Sequence, residues 1–132
     1  MVSERNPEIT NALLEGTVTT LEGFDALPEN IHVKRVPGTM ELVYGAHQMT
    51  LNDGYDAVIA LGCVVKGKTH SFDCVVNSVT AGFAQLNATS AVPVIFGILA
   101  TETMEDAKER AGGALGNKGE ECAVAAIKMA KF

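Results

Sequence analysis

The sequence predicts a single α/β domain over residues 1–132, a parallel sheet covered by helices on both faces. Three observations carry that prediction. Two runs, Ala57-Val58-Ile59-Ala60-Leu61-Gly62-Cys63-Val64-Val65 and Val92-Pro93-Val94-Ile95-Phe96-Gly97-Ile98-Leu99, are apolar almost without break, as strands buried on both faces are. Segments with apolar residues at helical spacing alternate with the strand candidates, the pattern of βα units. A chain of 132 residues that is 47% hydrophobic and 20% charged has the composition of one globular domain, with no repeat, linker or low-complexity stretch.

The elements follow in order. Asn6-Pro7-Glu8 reads as a helix start, with an N-capping side chain, proline at the first position and an acid in the first turn. Ile9, Leu13, Leu14, Val18 and Leu21 then recur on one face, so residues 7–22 form a helix. Residues 31–36, Ile-His-Val-Lys-Arg-Val, alternate as a half-buried strand and stop at Pro37-Gly38. A short helix covers 39–50, and Asp53-Gly54 marks a turn before the strand at 57–65. A polar loop at 66–71 leads into a helix over 72–88, and the second apolar strand occupies 92–99. Helices over 102–112 and 118–131 flank the glycine-rich Gly112-Gly113-Ala114-Leu115-Gly116. In such sheets ligands bind at the carboxyl ends of strands, which directs attention to residues 36–41, 65–72 and 99–102.

Charge and cysteine usage narrow the partners. A net charge of −6 argues against nucleic acid and anionic membranes, whose phosphates reward clustered Lys and Arg. A small anionic molecule needs only a local cluster of donors. Cys63, Cys74 and Cys122 are odd in number, without a C-x-x-C pair, and each lies in an apolar run. They read as buried thiols in a reducing, cytoplasmic protein. Residues 1–10 lack an apolar leader core, and no stretch approaches the ~20 apolar residues of a membrane span.

Gly62-Cys63-Val64-Val65-Lys66-Gly67-Lys68-Thr69 matches the P-loop pattern, after a strand and before a helix. A phosphate cradle needs a sharply turning backbone, whereas Val64 and Val65 are β-branched and favour a continued strand. No later strand ends in an aspartate suited to magnesium; the strand at 92–99 runs into Ala100-Thr101. An ATP-binding function is therefore the minor alternative.

Several blocks in order fit something else. They are Ile9-Thr10 with Leu13-Leu14-Glu15-Gly16, Val36-Pro37-Gly38-Thr39-Met40-Glu41, the segment 60–69, Phe72-Asp73, the strand at 92–99, and Glu109-Arg110-Ala111-Gly112 followed by Gly116-Asn117-Lys118-Gly119. Together they resemble the lumazine synthase family along nearly the whole chain. The resemblance implies a three-layer, flavodoxin-like sandwich and a cytoplasmic transferase of riboflavin biosynthesis. In that family 5-amino-6-(ribitylamino)uracil condenses with 3,4-dihydroxy-2-butanone 4-phosphate, with loss of phosphate, and neither a metal nor an organic cofactor takes part. It further implies a homo-oligomer, a pentamer or a pentamer-based icosahedral shell, with active sites between neighbouring subunits.

The same resemblance assigns residues. Phosphate falls to Lys68 and Thr69, at a strand end that opens a helix, and to Arg110, whose guanidinium can hold two oxygens at once. The pyrimidine falls near Arg5, Asn6 and Phe96, and the ribityl chain near Glu41. Thr39, Met40, Val64 and Val65 complete that wall, while Asn117 and Lys118 come from the partner subunit. Read without the family, Arg110 is a surface charge, Phe96 a core aromatic and Asn117 a helix cap.

The chain also departs from the family pattern. The family loop reads G-x-T-x-H, with histidine as the proton-transfer group. Here His70 comes one place early and Ser71 stands at the histidine's position. One residue at a helix start rotates a side chain by about 100°, so either the loop slips to bring His70 in or proton transfer is weakened. Arg5 replaces an aromatic, Met40 a phenylalanine and Ala114 a lysine. These changes raise the alternative of a catalytically weakened member, acting as an oligomeric scaffold or as a binder of flavin-like ligands. Finally, family chains run through a central strand I-x-I-V-V before the first helix. Met1-Val2-Ser3 offers little of it, which predicts unpaired groups on the neighbouring strands.

Overall fold

The long apolar run at the middle of the chain becomes the strand around which the sheet is assembled. The computed structural model describes residues 1–52 and 54–132, so the Asp53 half of the expected Asp53-Gly54 turn lies outside the described residues. Strands β1 (Val2–Ser3), β2 (Arg35–Val36), β3 (Val58–Val65) and β4 (Val94–Thr101) form a parallel sheet in the order β2-β1-β3-β4. Helices α1 (Pro7–Gly23), α4 (Met104–Glu109) and α5 (Lys118–Ala130) cover one face, and α2 (Glu41–Thr50) and α3 (Ser71–Thr89) the other. This is the three-layer sandwich expected from alternating βα units.

Alternation along β3 divides its side chains between two cores. Val58 and Ala60 join Leu42, Ala46, Phe83 and Ile98 under α2 and α3, while Leu61 and Cys63 join Ile9, Leu13, Leu99 and Cys122 under α1 and α5. All eight β3 residues pair with β4, from Val58 opposite Val94 to Val65 opposite Thr101.

The central lane, predicted to be nearly empty, is held by two strand residues and the groups flanking them. The Met1 amine donates to the Ile59 carbonyl at 2.9 Å, and the Leu61 N–H donates to Met1 O at 2.8 Å. On the other side the Val2 N–H reaches Lys34 O and the Glu4 N–H reaches Val36 O. Burial lowers the amine's pKa to about 6. The unpaired groups expected at this level of the sheet are therefore largely paired.

Some boundaries differ from the sequence expectations. The strand expected over 31–36 shrinks to Arg35–Val36, because β1 pairs with it only from Val2 opposite Arg35 onwards. The second apolar strand is shifted two residues along, to Val94–Thr101. The helix expected over 102–112 is Met104–Glu109, opened by Thr103, whose hydroxyl accepts the Asp106 N–H at 3.1 Å. The residues after it turn into a hairpin, β5 (Ala111–Gly113) with β6 (Gly116–Asn117), in which Gly112 and Gly116 take φ of 108° and 85°. Those left-handed angles explain the glycine-rich stretch. Asn6 does open α1, but its side chain makes no capping bond. Cys63 and Cys122 are buried as expected; Cys74 is exposed on α3, which corrects the expectation of three buried thiols.

Helices α1 and α5 meet closely at Gly119. A Cβ there would overlap the Leu13 carbonyl oxygen and stand 2.7 Å from Thr17 Oγ1, which itself bonds Gly119 O at 3.0 Å. Gly119→Ala should therefore push the helices apart and destabilise the domain by about 1–3 kcal/mol, read as a fall in the urea midpoint at unchanged m-value; an unchanged midpoint would disprove the close approach.

Burial pushes the Cys63 and Cys122 thiols up to about 11, so both stay protonated near neutral pH. In native protein near neutral pH a maleimide should label Cys74 and leave the other two until denaturant is added. Labelling of Cys63 at the Cys74 rate would contradict the packing.

Candidate active site at the carboxyl end of the sheet

Four chain segments converge where β3 ends. The strand end supplies Cys63, Val64 and Val65, the β1–α1 turn Arg5 and Asn6, the turn into α2 Gly38, Thr39, Met40 and Glu41, and the first turns of α3 Ser71, Phe72 and Val75. They enclose a cleft of about 390 Å³. A larger cavity of about 600 Å³ lies at the opposite end of β3, lined by Val58, Ile59, His32, Tyr55 and the α1 and α5 side chains. It holds none of the candidate residues and sits where parallel sheets do not place their ligands.

Each segment has a local reason for its shape. Asn6 is left-handed, with φ 53° and ψ 58°, a conformation that asparagine accepts more readily than most residues. Its amide donates to the Cys63 carbonyl at 2.9 Å, so the side chain ties the turn to the end of β3 instead of capping α1. This brings Arg5 to the cleft wall. In the next turn the Glu41 carboxylate folds back over Gly38: a Cβ on Gly38 would lie 3.5 Å from Glu41 Oε1.

The loop into α3 leaves the displaced histidine at the surface. His70 is the exposed residue before the helix and is not in the cleft lining, whereas Ser71 is. The Ser71 hydroxyl shares a 2.7 Å hydrogen bond with Thr69 Oγ1, which also receives the Ser71 N–H at 3.4 Å. Lys68 is exposed beside this turn. The P-loop alternative fails here, since Val64 and Val65 continue β3 opposite Ala100 and Thr101 and leave no turning backbone after Gly62.

The remaining candidates lie elsewhere on the chain. Arg110 follows α4, and its carbonyl accepts the Lys118 N–H at 2.9 Å across the hairpin, so the Arg110 and Asn117-Lys118 blocks become neighbours. Asn117 caps α5 through Gly119 N at 2.7 Å and donates to Ala12 O at 3.1 Å, so its amide is committed to the fold. Phe96 sits on the sheet's edge strand β4, 38% exposed, edge-on to Phe83 at 5.6 Å. These residues do not reach the cleft lining. Sequence reasoning missed Phe72 and Val75 as cleft residues; their i, i+3 spacing on the face of α3 toward β3 was the available clue.

The lining can position and polarise more than it can ionise. It offers a carboxylate, a guanidinium, two hydroxyls and a carboxamide around an apolar floor. Among the described residues no group of three His, Cys, Asp or Glu converges.

Known proteins match the chain from end to end. The family model described as 6,7-dimethyl-8-ribityllumazine synthase covers residues 1–132. A curated relative from Bacteroides fragilis, named 6,7-dimethyl-8-ribityllumazine synthase, is 58% identical across the whole chain and 92% of its own length. Relatives of the same name from Phocaeicola vulgatus and Parabacteroides distasonis are 53% and 52% identical, again over the whole chain and over 79% and 82% of theirs. This chain belongs to the 6,7-dimethyl-8-ribityllumazine synthase family.

Proposed function

We propose that this protein is a 6,7-dimethyl-8-ribityllumazine synthase, a transferase that condenses 5-amino-6-(ribitylamino)uracil with 3,4-dihydroxy-2-butanone 4-phosphate. The observation that carries the proposal is the convergence of Arg5, Asn6, Thr39, Met40, Glu41, Val64, Val65 and Ser71 on one cleft in a chain matched throughout by that family. The pyrimidine lies on the apolar floor beside Asn6 and Arg5, whose planar guanidinium can stack as the aromatic at that position does. The ribityl chain runs toward Glu41. The phosphate is held at Lys68 and Thr69, where the start of α3 offers free N–H groups and a favourable dipole.

A single subunit gives half of this site. Phe96, Arg110 and Lys118 are the half contributed to a neighbour's cleft, and this reading takes the working unit to be a pentamer, with larger shells built from it, in the cytoplasm. Exposed Phe96 on an edge strand, with Tyr44 70% and Leu115 68% exposed, is the apolar surface such contacts would cover. With Asn117 committed to capping, Lys118 is the member of its pair left to meet substrate.

Mixing tests the shared site. Arg110→Ala and Glu41→Ala subunits should each form lumazine, followed by its fluorescence, at a rate well below wild type. Refolded together they should regain activity, because about a quarter of neighbour pairs in a mixed ring join one intact half to another. Absence of recovery in mixed oligomers would sink the shared site, and a monomeric mass by light scattering would sink the pentamer.

The position of Ser71 favours a weakened proton transfer within the same function. A serine hydroxyl does not titrate near neutrality, so positioning of the two substrates carries most of the acceleration. Ser71→His should raise turnover toward the roughly 10²–10⁴-fold worth of a positioned acid–base group, while His70→Ala should change it little. The reverse pattern would move the role to His70.

A further inference from the structure

The hairpin that carries two of the proposed substrate cations is tied to α1 by the hydrogen bonds of one side chain. Arg110 enters the hairpin and Lys118 leaves it, and the Lys118 N–H donates to Arg110 O at 2.9 Å, so the two residues share one base. Neither forms an ion pair among the described residues. Beside them Asn117 uses both ends of its amide: Oδ1 accepts the Gly119 N–H at 2.7 Å, and Nδ2 donates to Ala12 O on α1 at 3.1 Å. No other side chain from Arg110 to Lys118 forms a hydrogen bond among the described residues. Gly16, one turn further along α1, makes the notch that the amide enters. A Cβ there would lie 2.6 Å from Asn117 Cγ and Nδ2 and 2.8 Å from Oδ1.

We infer that Asn117 is a positioning residue for the reaction, holding Arg110 and Lys118 where a neighbour's cleft receives them. This role rests on the lumazine synthase reading above. A cap alone asks for less, since serine, threonine or aspartate can also accept from the first turn of α5. Asparagine adds a donor, and that donor reaches Ala12 O while the cap stays in place. The two bonds fix the amide at both ends, and with it the strand pair in which Ala111 lies opposite Asn117. Arg110 adjoins Ala111 and Lys118 adjoins Asn117, so a shift of the amide moves the roots of both cations. The turn beyond, residues 112–116, is exposed throughout and brings no side-chain bond of its own, so the anchor falls to Asn117. A group that binds an anion loses much of its effect when it stands about an ångström out of place.

A double-mutant cycle on the assembled protein, followed by lumazine fluorescence, tests this. Asn117→Ser keeps an acceptor for the Gly119 N–H and removes the donor to Ala12. It should lower kcat/KM for 3,4-dihydroxy-2-butanone 4-phosphate by roughly 10–100-fold, the scale of an ångström's misplacement. In an Arg110→Ala background the same substitution should lower it by much less, because residues that act through one another are not additive. Gly16→Ala, at a position remote from every proposed substrate contact, should reproduce both results by pushing the amide from its notch, and it serves where the serine variant assembles poorly. Equal fold losses in the two backgrounds, or a lower urea midpoint with kcat/KM unchanged, would overturn the positioning role and leave the function standing. Loss of assembly in both variants would make Asn117 a residue of the fold alone and overturn the role likewise. Failure of wild type to form lumazine would overturn both the role and the reading beneath it.

Discussion

Everything at the working end of this molecule depends on how the middle lane of the sheet is filled. β3 has a neighbour on each side, and its backbone groups facing away from β4 must bond something or be buried unpaired at about 1–3 kcal/mol each. Two strand residues and three flanking groups accomplish this. The Met1 amine and carbonyl serve Ile59 and Leu61, and one side chain further up, Asn6, serves the Cys63 carbonyl. The asparagine thus continues the ladder past the point where β1 turns away, which requires the left-handed backbone it adopts. A residue that reads as a helix cap in the sequence is instead a peg between a turn and a strand end.

That peg sets the geometry of the cleft. With Asn6 tied to β3, Arg5 stands at one wall and α1 departs along the far face of the sheet, leaving the ends of β3 and α3 open to ligand. On the other side the Pro37-Gly38 turn brings Thr39 to the cleft just before α2. The backbone near these points has little freedom, so residue identity can change at the rim without moving the frame. Arg5, Met40 and Ser71 are such changes, each a cleft-lining side chain that differs from the family pattern.

The sequence was most readable where periodicity was strong. The 57–65 run and the first helix appeared within a residue or so of their predicted bounds, because nearly every position along them reports the same environment. Residues 31–34 alternated convincingly and are not strand, since alternation describes side chains while a strand also needs a neighbour's backbone. The hairpin at 111–117 was hidden because its signal is conformational: two glycines with positive φ look like any glycine-rich loop until the angles are seen. For the site, the residues assigned by resemblance include eight that line one cleft, Arg5, Asn6, Thr39, Met40, Glu41, Val64, Val65 and Ser71, while the choice between His70 and Ser71 had no answer in the sequence. The Thr69–Ser71 hydroxyl pair is a contact between residues two apart that no periodicity encodes.

The same structure explains how a strongly acidic chain can serve an anionic substrate. A net charge of −6 repels a phosphate monoester at long range, but screening removes most of that field beyond about 8–10 Å. What counts is the last few ångströms, where the chain concentrates its free donors. The start of α3 stands at the cleft with exposed Lys68 three residues before it, and the hairpin joins Arg110 to Lys118 on the part of the chain proposed to face a neighbour. Dividing the cations between two surfaces keeps like charges apart in the isolated subunit, where no phosphate is present to offset their repulsion. In the proposed assembly they meet around the anion that makes the meeting favourable. Substrate binding and subunit association then reinforce one another, so that loss of either weakens both.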